Sequence, residues 1–299
     1  MSAIVVENIS KSFGKTKALD NISFNVKRGE LFGLIGPDGA GKTTLFRLLT
    51  TLYTPDSGRA SVDGFDIVNQ YRSIRERVGY MPGQFSLYQD LTVEENLNFF
   101  AALFDSNLKN SYDLIAPIYR QIEPFKNRKA GKLSGGMKQK LALSCALIHH
   151  PSILFLDEPT TGVDAVSRNE FWDMLSDLKN RGITILVSTP YMDEASRCDR
   201  IALCNEGRIM RIDTPDNIVA TFDSALYAIK ADNMYQLLLS ARNQPGITNC
   251  YPFGETHHLV VDNNFDIDSF KTAHADIKGF DIMPMRPTIE DMFIKLMRQ

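Results

Sequence analysis

The run Gly36-Pro37-Asp38-Gly39-Ala40-Gly41-Lys42-Thr43-Thr44 brings together the residue types that can hold a polyphosphate. Its glycines let the backbone curl with N–H groups turned inward, where they face negative charge. Lys42 is the cation that would reach the β- and γ-phosphates, and the Thr43 hydroxyl is the oxygen that would coordinate Mg²⁺. A second pair of chemically able residues, Asp157-Glu158, ends the apolar run 153–156. Two carboxylates at the C-terminal end of a buried strand lie where ligands bind in open α/β sheets. There Asp157 is predicted to hold Mg²⁺ through its water shell, and Glu158 to orient and polarise an attacking water. A third stretch, Ser134-Gly135-Gly136, reads as a helix N-cap followed by glycines that leave the first backbone amides unobstructed. Together these imply a site for a nucleoside triphosphate.

Those residues need a frame. The run Leu31–Ile35 predicts a buried strand before the phosphate loop. Leu45, Leu48, Leu49 and Leu52 recur at helical spacing after it, so the loop opens a helix whose N-terminus adds positive potential. The continuous apolar run 153–156 marks a strand buried on both faces of a parallel sheet, and 183–187 marks another. Ile22, Phe24 and Val26 alternate with polar residues, as in a half-buried strand. Phe13, just before, reads as a core or edge aromatic. From about 88 to 150 strand signals vanish: Thr92 and Glu95 form a capping box, and Val93, Leu97 and Ala101 continue at helical spacing. A helical subdomain inserted into an α/β core is expected. A boundary is expected near Phe222, giving domains 1–222 and 223–299. The second reads β-α-β-β-α-β, a small α+β domain of split-βαβ type with Thr288 capping its last helix. His257 and His258 are expected at its surface, facing opposite ways along a strand.

Composition narrows the partners. The chain has 299 residues, 43% hydrophobic and 23% charged, with a formal net charge of −3, so nucleic acid is not expected as a partner. No apolar run reaches membrane-spanning length and no signal-peptide h-region stands at the start, so any membrane association is expected through partners. Four cysteines without a C-x-x-C pair suggest neither disulfides nor zinc.

With these motifs in hand, the chain resembles the nucleotide-binding subunits of ABC transporters over residues 1 to about 222. Residues 36–44 match the Walker A loop, and Leu133-Ser134-Gly135-Gly136-Met137 match the signature motif. Residues 153–158 match Walker B with its catalytic glutamate, and Thr161-Gly162-Val163-Asp164 match the D-loop. The ending Pro287-Thr288-Ile289-Glu290-Asp291-Met292-Phe293 is similar to that of drug- and polysaccharide-export ATPases, and Gly79-Tyr80-Met81-Pro82 points to the multidrug-efflux branch. The resemblance implies a P-loop NTPase core of ABC type, MgATP as ligand, and ATPase activity with Glu158 as the catalytic residue. It turns Phe13 into an aromatic that stacks on adenine. It implies a dimer with a second ATP-binding subunit, in which Ser134, Gly135 and Gly136 approach the partner's nucleotide, and it places Asp164 of the D-loop among the nucleotide-site residues. It also implies integral-membrane permease partners, a position at the cytoplasmic face of the membrane, and a groove around residues 84–90 that receives a permease helix.

Two positions depart from that family. Gly83 stands where a glutamine usually follows Tyr-hydrophobic-Pro, and Gln84, the candidate nucleotide contact, comes one residue later. Pro190 stands where a switch histidine follows Ser188-Thr189, and proline offers no donor to a γ-phosphate. Good binding with weak hydrolysis is therefore expected. A non-hydrolysing nucleotide-gated subunit and a soluble ABC-type ATPase are the competing readings.

Overall fold

The computed structural model describes residues 1–242 and 244–298. They divide into two compact units, Met1–Pro215 and Asp216–Gln299. The division falls at the start of a short helix, Pro215–Ala220.

The first unit begins with a long hairpin, β1 (Ser2–Phe13) and β2 (Thr16–Lys27), then β3 (Leu31–Ile35) and helix α1 (Lys42–Leu49). β4 (Ser57–Val62), β5 (Phe65–Asp66), α2 (Tyr71–Arg75) and β6 (Val78–Met81) follow. The helical stretch comprises α3 (Val93–Leu103), α4 (Leu108–Tyr119) and α5 (Gly135–Leu147). The capping box at the start of α3 is formed, with the Glu95 N–H donating to Thr92 Oγ1 and the Thr92 N–H to Glu95 Oε2. β7 (Ile153–Asp157), α6 (Ala165–Asn180), β8 (Thr184–Thr189), β9 (Arg200–Asn205) and β10 (Arg208–Asp213) complete the unit.

Two sheets result. β2-β1-β4-β5 is antiparallel, and the other sheet runs β10-β9-β3-β8-β7-β6. In it β9, β3, β8, β7 and β6 are parallel. β3, β7 and β8 are buried along their whole length, which is why their sequences show no alternation. Phe46 of α1 sits edge-on to Phe155 of β7 with ring centres 6.0 Å apart, fixing the helix against the sheet. Each such fully buried side chain contributes about 1.5–3 kcal/mol. The parallel register sets Asp157 beside Ser188 and Ile35 beside Thr189, so three loops leave the same sheet edge.

The second unit holds α7 (Pro215–Ala220), β11 (Ala225–Lys230), α8 (Met234–Arg242), β12 (Ile247–Phe253) and β13 (Thr256–Val261). α9 (Ile267–Ala273), β14 (Asp281–Pro284) and α10 (Ile289–Leu296) follow. The antiparallel order β12-β13-β11-β14 is the split-βαβ arrangement. The two histidines correct the surface expectation: His257 is 5% exposed and His258 1%. They do face opposite ways. β13 is a central strand, and His257 Nε2 meets the Met234 carbonyl at 2.7 Å on the α8 side. His258 Nδ1 meets Asp291 Oδ1 at 2.5 Å on the α10 side. Asp291 also accepts from the Tyr251 hydroxyl at 2.5 Å and from the Thr288 N–H and hydroxyl at 2.7 Å, so it caps α10 and ties it to the sheet. Burial works to raise the Asp291 pKa, but the bonds from His258, Tyr251 and Thr288 outweigh it and hold it below the usual value. Among the described residues no helix is long and apolar enough to cross a membrane.

Candidate functional site

The turn between β3 and α1 carries the phosphate-loop residues. Gly39 and Gly41 have φ of +82° and +90°, left-handed conformations that a residue with a β-carbon adopts only under strain. At Gly36 the limit is space: a β-carbon there would lie 2.2 Å from the Cys204 carbonyl oxygen. The loop therefore runs close against β9. Lys42, 4% exposed, turns back into it and donates to the Gly36 and Pro37 carbonyls at 2.8 and 3.0 Å. Its ammonium also lies 3.1 Å from Glu158 Oε1, so the loop lysine and the strand-end glutamate are in direct contact.

A cavity of about 560 Å³ opens above this loop, lined by residues 38–44 and by Glu158. Thr16, Lys17, Ala18 and Glu206 complete its wall. Asp157, the residue before Glu158, is not part of the cavity wall; it is 2% exposed, and its Oδ1 accepts the Ser188 hydroxyl at 2.7 Å. The Glu158 N–H donates both to Ser188 Oγ at 2.9 Å and to the Ser188 carbonyl at 3.1 Å. Glu158 itself sits at φ +49°. Tyr80, half-buried near the Asp157 charge, has its phenol pushed up to about 12, burial being the larger cause, so it stays a neutral donor.

The other predicted residues lie outside this cavity wall. Phe13 is 46% exposed at the hairpin tip, its ring edge-on to Tyr53 at 5.5 Å, and it pairs in register with cavity-lining Thr16. Ser134 caps α5 through the Met137 N–H at 3.4 Å. A β-carbon on Gly136 would meet Ser167 Oγ at 2.7 Å, so the signature glycine allows α5 to approach the start of α6. Asp164 caps α6 through the Ser167 N–H at 3.0 Å, a bond that lowers its pKa. Gln84 faces a separate hollow of about 650 Å³ with Met81, Phe85, Leu87, Phe100 and Leu103. A β-carbon on Gly83 would stand 3.1 Å from the Asp157 carbonyl, so this residue passes tight against the strand end.

At Pro190 the neighbouring hydroxyl is also engaged. Thr189 Oγ1 donates to Glu194 Oε2 at 2.5 Å and accepts the Tyr191 N–H at 3.0 Å. Glu194, 5% exposed, takes a second bond from Thr160 Oγ1 at 3.1 Å, joining the loops after β7 and β8. The Thr189 hydroxyl is thus committed to Glu194 as donor and to Tyr191 as acceptor. Sequence reading missed the contributions of Ser188, Thr16, Lys17 and Glu206. Only the pairing of distant strands brings them here, and no local pattern signals it.

Comparison with known proteins agrees with this geometry. The family described as ABC transporter matches residues 19–161. The chain is 42% identical over 303 residues to the probable multidrug ABC transporter ATP-binding protein YbhF of Escherichia coli, covering 99% of this chain and 52% of that protein. It thus spans about half the length of that relative. It is 39% identical over 299 residues to the Nod factor export ATP-binding protein I of Paraburkholderia xenovorans, covering 99% and 97%. Among solved structures, a dimeric ATP-binding cassette in a post-hydrolysis state bound to ADP and Pi is 26% identical with a TM-score of 0.64, covering 71% of this chain and 98% of that one. A phosphate loop before α1, two carboxylates ending β7 and this degree of identity over nearly the whole chain lead to one conclusion: the chain belongs to the ABC transporter family of ATP-binding proteins.

Proposed function

We propose that the chain is the ATP-binding subunit of an exporter, holding MgATP in the 36–44 loop and turning it over slowly. The observation that carries this is the contact of Lys42 with both the loop carbonyls and Glu158 beneath one cavity. The triphosphate would take the Lys42 ammonium and the loop N–H groups, with Phe13 or its hairpin beside the base. The donor set suits Mg²⁺, which favours hard oxygens and is usually bound by one or two protein oxygens plus substrate phosphates. Thr43 lines the cavity and Asp157, carboxylate-bearing, lies at the strand end, so these two would hold it. When bound, Mg²⁺ neutralises charge on the phosphate oxygens. Glu158, at the cavity wall, would hold and polarise the attacking water once phosphate has drawn Lys42 away from it.

Weak turnover follows from what is missing around that water. Pro190 donates nothing, Thr189 is committed to Glu194, and Gly83 has no side chain. These same facts favour the second reading, a nucleotide-gated subunit that closes and opens beside a more active partner. In either case Ser134, Gly135, Gly136 and Asp164 would act across a dimer on the second subunit's nucleotide. The hollow lined by Gln84, Phe85, Leu87 and Phe100 would receive an amphipathic helix of a membrane permease. The protein would then sit at the cytoplasmic face of the membrane through that partner, with residues 223–299 as an accessory domain. Isolating the full chain from membranes under mild detergent tests this. Co-isolation of chains with membrane-spanning helices is expected; recovery only in the soluble fraction, with ribosomal or nucleic-acid partners, would overturn it.

A further inference from the structure

Ser188 has no exposure at all, and its hydroxyl makes two bonds, both to residues of the nucleotide site. Oγ donates to Asp157 Oδ1 at 2.7 Å and accepts the Glu158 N–H at 2.9 Å. The contact is set by the parallel register of β7 and β8, which places Ser188 directly beside Asp157. A carboxylate with one oxygen fixed by a charge-assisted hydrogen bond presents the other in a single orientation. Glu158, meanwhile, sits at φ +49°, a left-handed conformation that a non-glycine residue keeps only when its surroundings hold it. The hydroxyl of Ser188 and its carbonyl, 3.1 Å from the same N–H, are those surroundings. The next hydroxyl along the strand, on Thr189, points into a different network, toward Glu194.

We infer that Ser188 is the positioning residue for both carboxylates of the site, orienting Asp157 toward Mg²⁺ and fixing the peptide from which Glu158 projects. The inference rests on reading the cavity as an MgATP site. Ser188→Ala deletes the hydroxyl but leaves the carbonyl bond to the Glu158 N–H, so the backbone keeps a partner and the sheet keeps its register. Asp157 loses its fixed rotamer, and its magnesium-dependent contribution falls with it.

The test titrates the full-length chain with a non-hydrolysable ATP analogue, once with Mg²⁺ and once with EDTA. Wild type, Ser188→Ala, Asp157→Asn and the double variant are compared by calorimetry. In Mg²⁺, Ser188→Ala is expected to bind roughly tenfold more weakly than wild type, the size of one hydrogen bond to a charged group. In EDTA the two are expected to bind equally, and Ser188→Ala is expected to add no loss on top of Asp157→Asn. A merely structural serine would weaken both conditions alike, or add its loss to that of Asp157→Asn, and either result overturns the inference while leaving the site reading intact. Wild type that binds the analogue in neither condition overturns the site reading, and the inference falls with it.

Discussion

Glu158→Gln should tighten the binding of MgADP. In the structure Glu158 Oε1 stands 3.1 Å from Lys42 Nζ, and the same ammonium is the group that must meet the phosphates. An arriving nucleotide therefore has to draw Lys42 away from a carboxylate and place its own negative charge near that carboxylate. At an effective dielectric constant of about 20 the gross attraction of such a pair is about 5 kcal/mol. Lys42 is almost fully buried, but the Glu158 side chain is 22% exposed, so water recovers much of that energy when the pair parts. About 1–2 kcal/mol remains, between the worth of an exposed pair and the cost of breaking a buried one. Glutamine keeps the shape and removes the charge, so MgADP should bind roughly tenfold more tightly. ADP is the right probe because nothing is hydrolysed during the titration. Calorimetry at low and moderate salt reads both the affinity and its screening, and the gain should shrink as salt rises. Equal or weaker binding by Glu158→Gln would show that the contact is not a competitor for the phosphates, and the reasoning would be refuted.

Three further outcomes follow from the same geometry. Pro190→His should raise steady-state ATP turnover, on the order of 10²-fold if one transition-state donor is restored, and no gain would mean the slow step lies elsewhere. Gly36→Ala should cost more than about 3 kcal/mol in urea unfolding of the first unit, since its β-carbon would meet the Cys204 carbonyl at 2.2 Å; near-native stability would show that β9 yields there. Asp291→Asn should destabilise the second unit by about 2–4 kcal/mol, because the amide has no charge and only one oxygen, so its NH2 replaces the acceptor used by either the His258–Tyr251 pair or Thr288. The folded Asp291 pKa is depressed, so its contribution is present above the unfolded-state carboxyl value, about 3.9, and fades as pH falls through the folded value. Acid unfolding of wild type should show that loss and Asp291→Asn should lack it; superimposable acid profiles would count against the network.

The strand–turn–helix around residues 36–44, the strand ending at Asp157 and the caps at Thr92 and Thr288 were legible because residue types at short fixed spacing carry them. Buried strands were legible too, since β3 and the runs 153–156 of β7 and 185–187 of β8 are continuously apolar. What stayed hidden depends on pairing between distant segments. Ser188 acts on Asp157 across 31 residues of sequence, and nothing near Ser188 marks it as more than a strand-end serine. Glu206 reaches the cavity wall from the β9–β10 turn, and Thr16 from the first hairpin. His257 and His258 look like a polar pair on a strand. They are buried because α8 covers one face of β13 and α10 the other, each supplying a hydrogen-bond acceptor.

The central claim is that Lys42 and its loop bind MgATP, and calorimetry of the purified full chain beside Lys42→Ala tests it most directly. Among the described residues, Lys42 is the one side-chain cation that both lines the cavity and contacts the loop carbonyls and Glu158. Removing it should weaken MgATP binding on the order of 10²-fold or more, while thermal unfolding still reports a folded chain. A folded Lys42→Ala variant that binds MgATP as tightly as wild type would contradict the account.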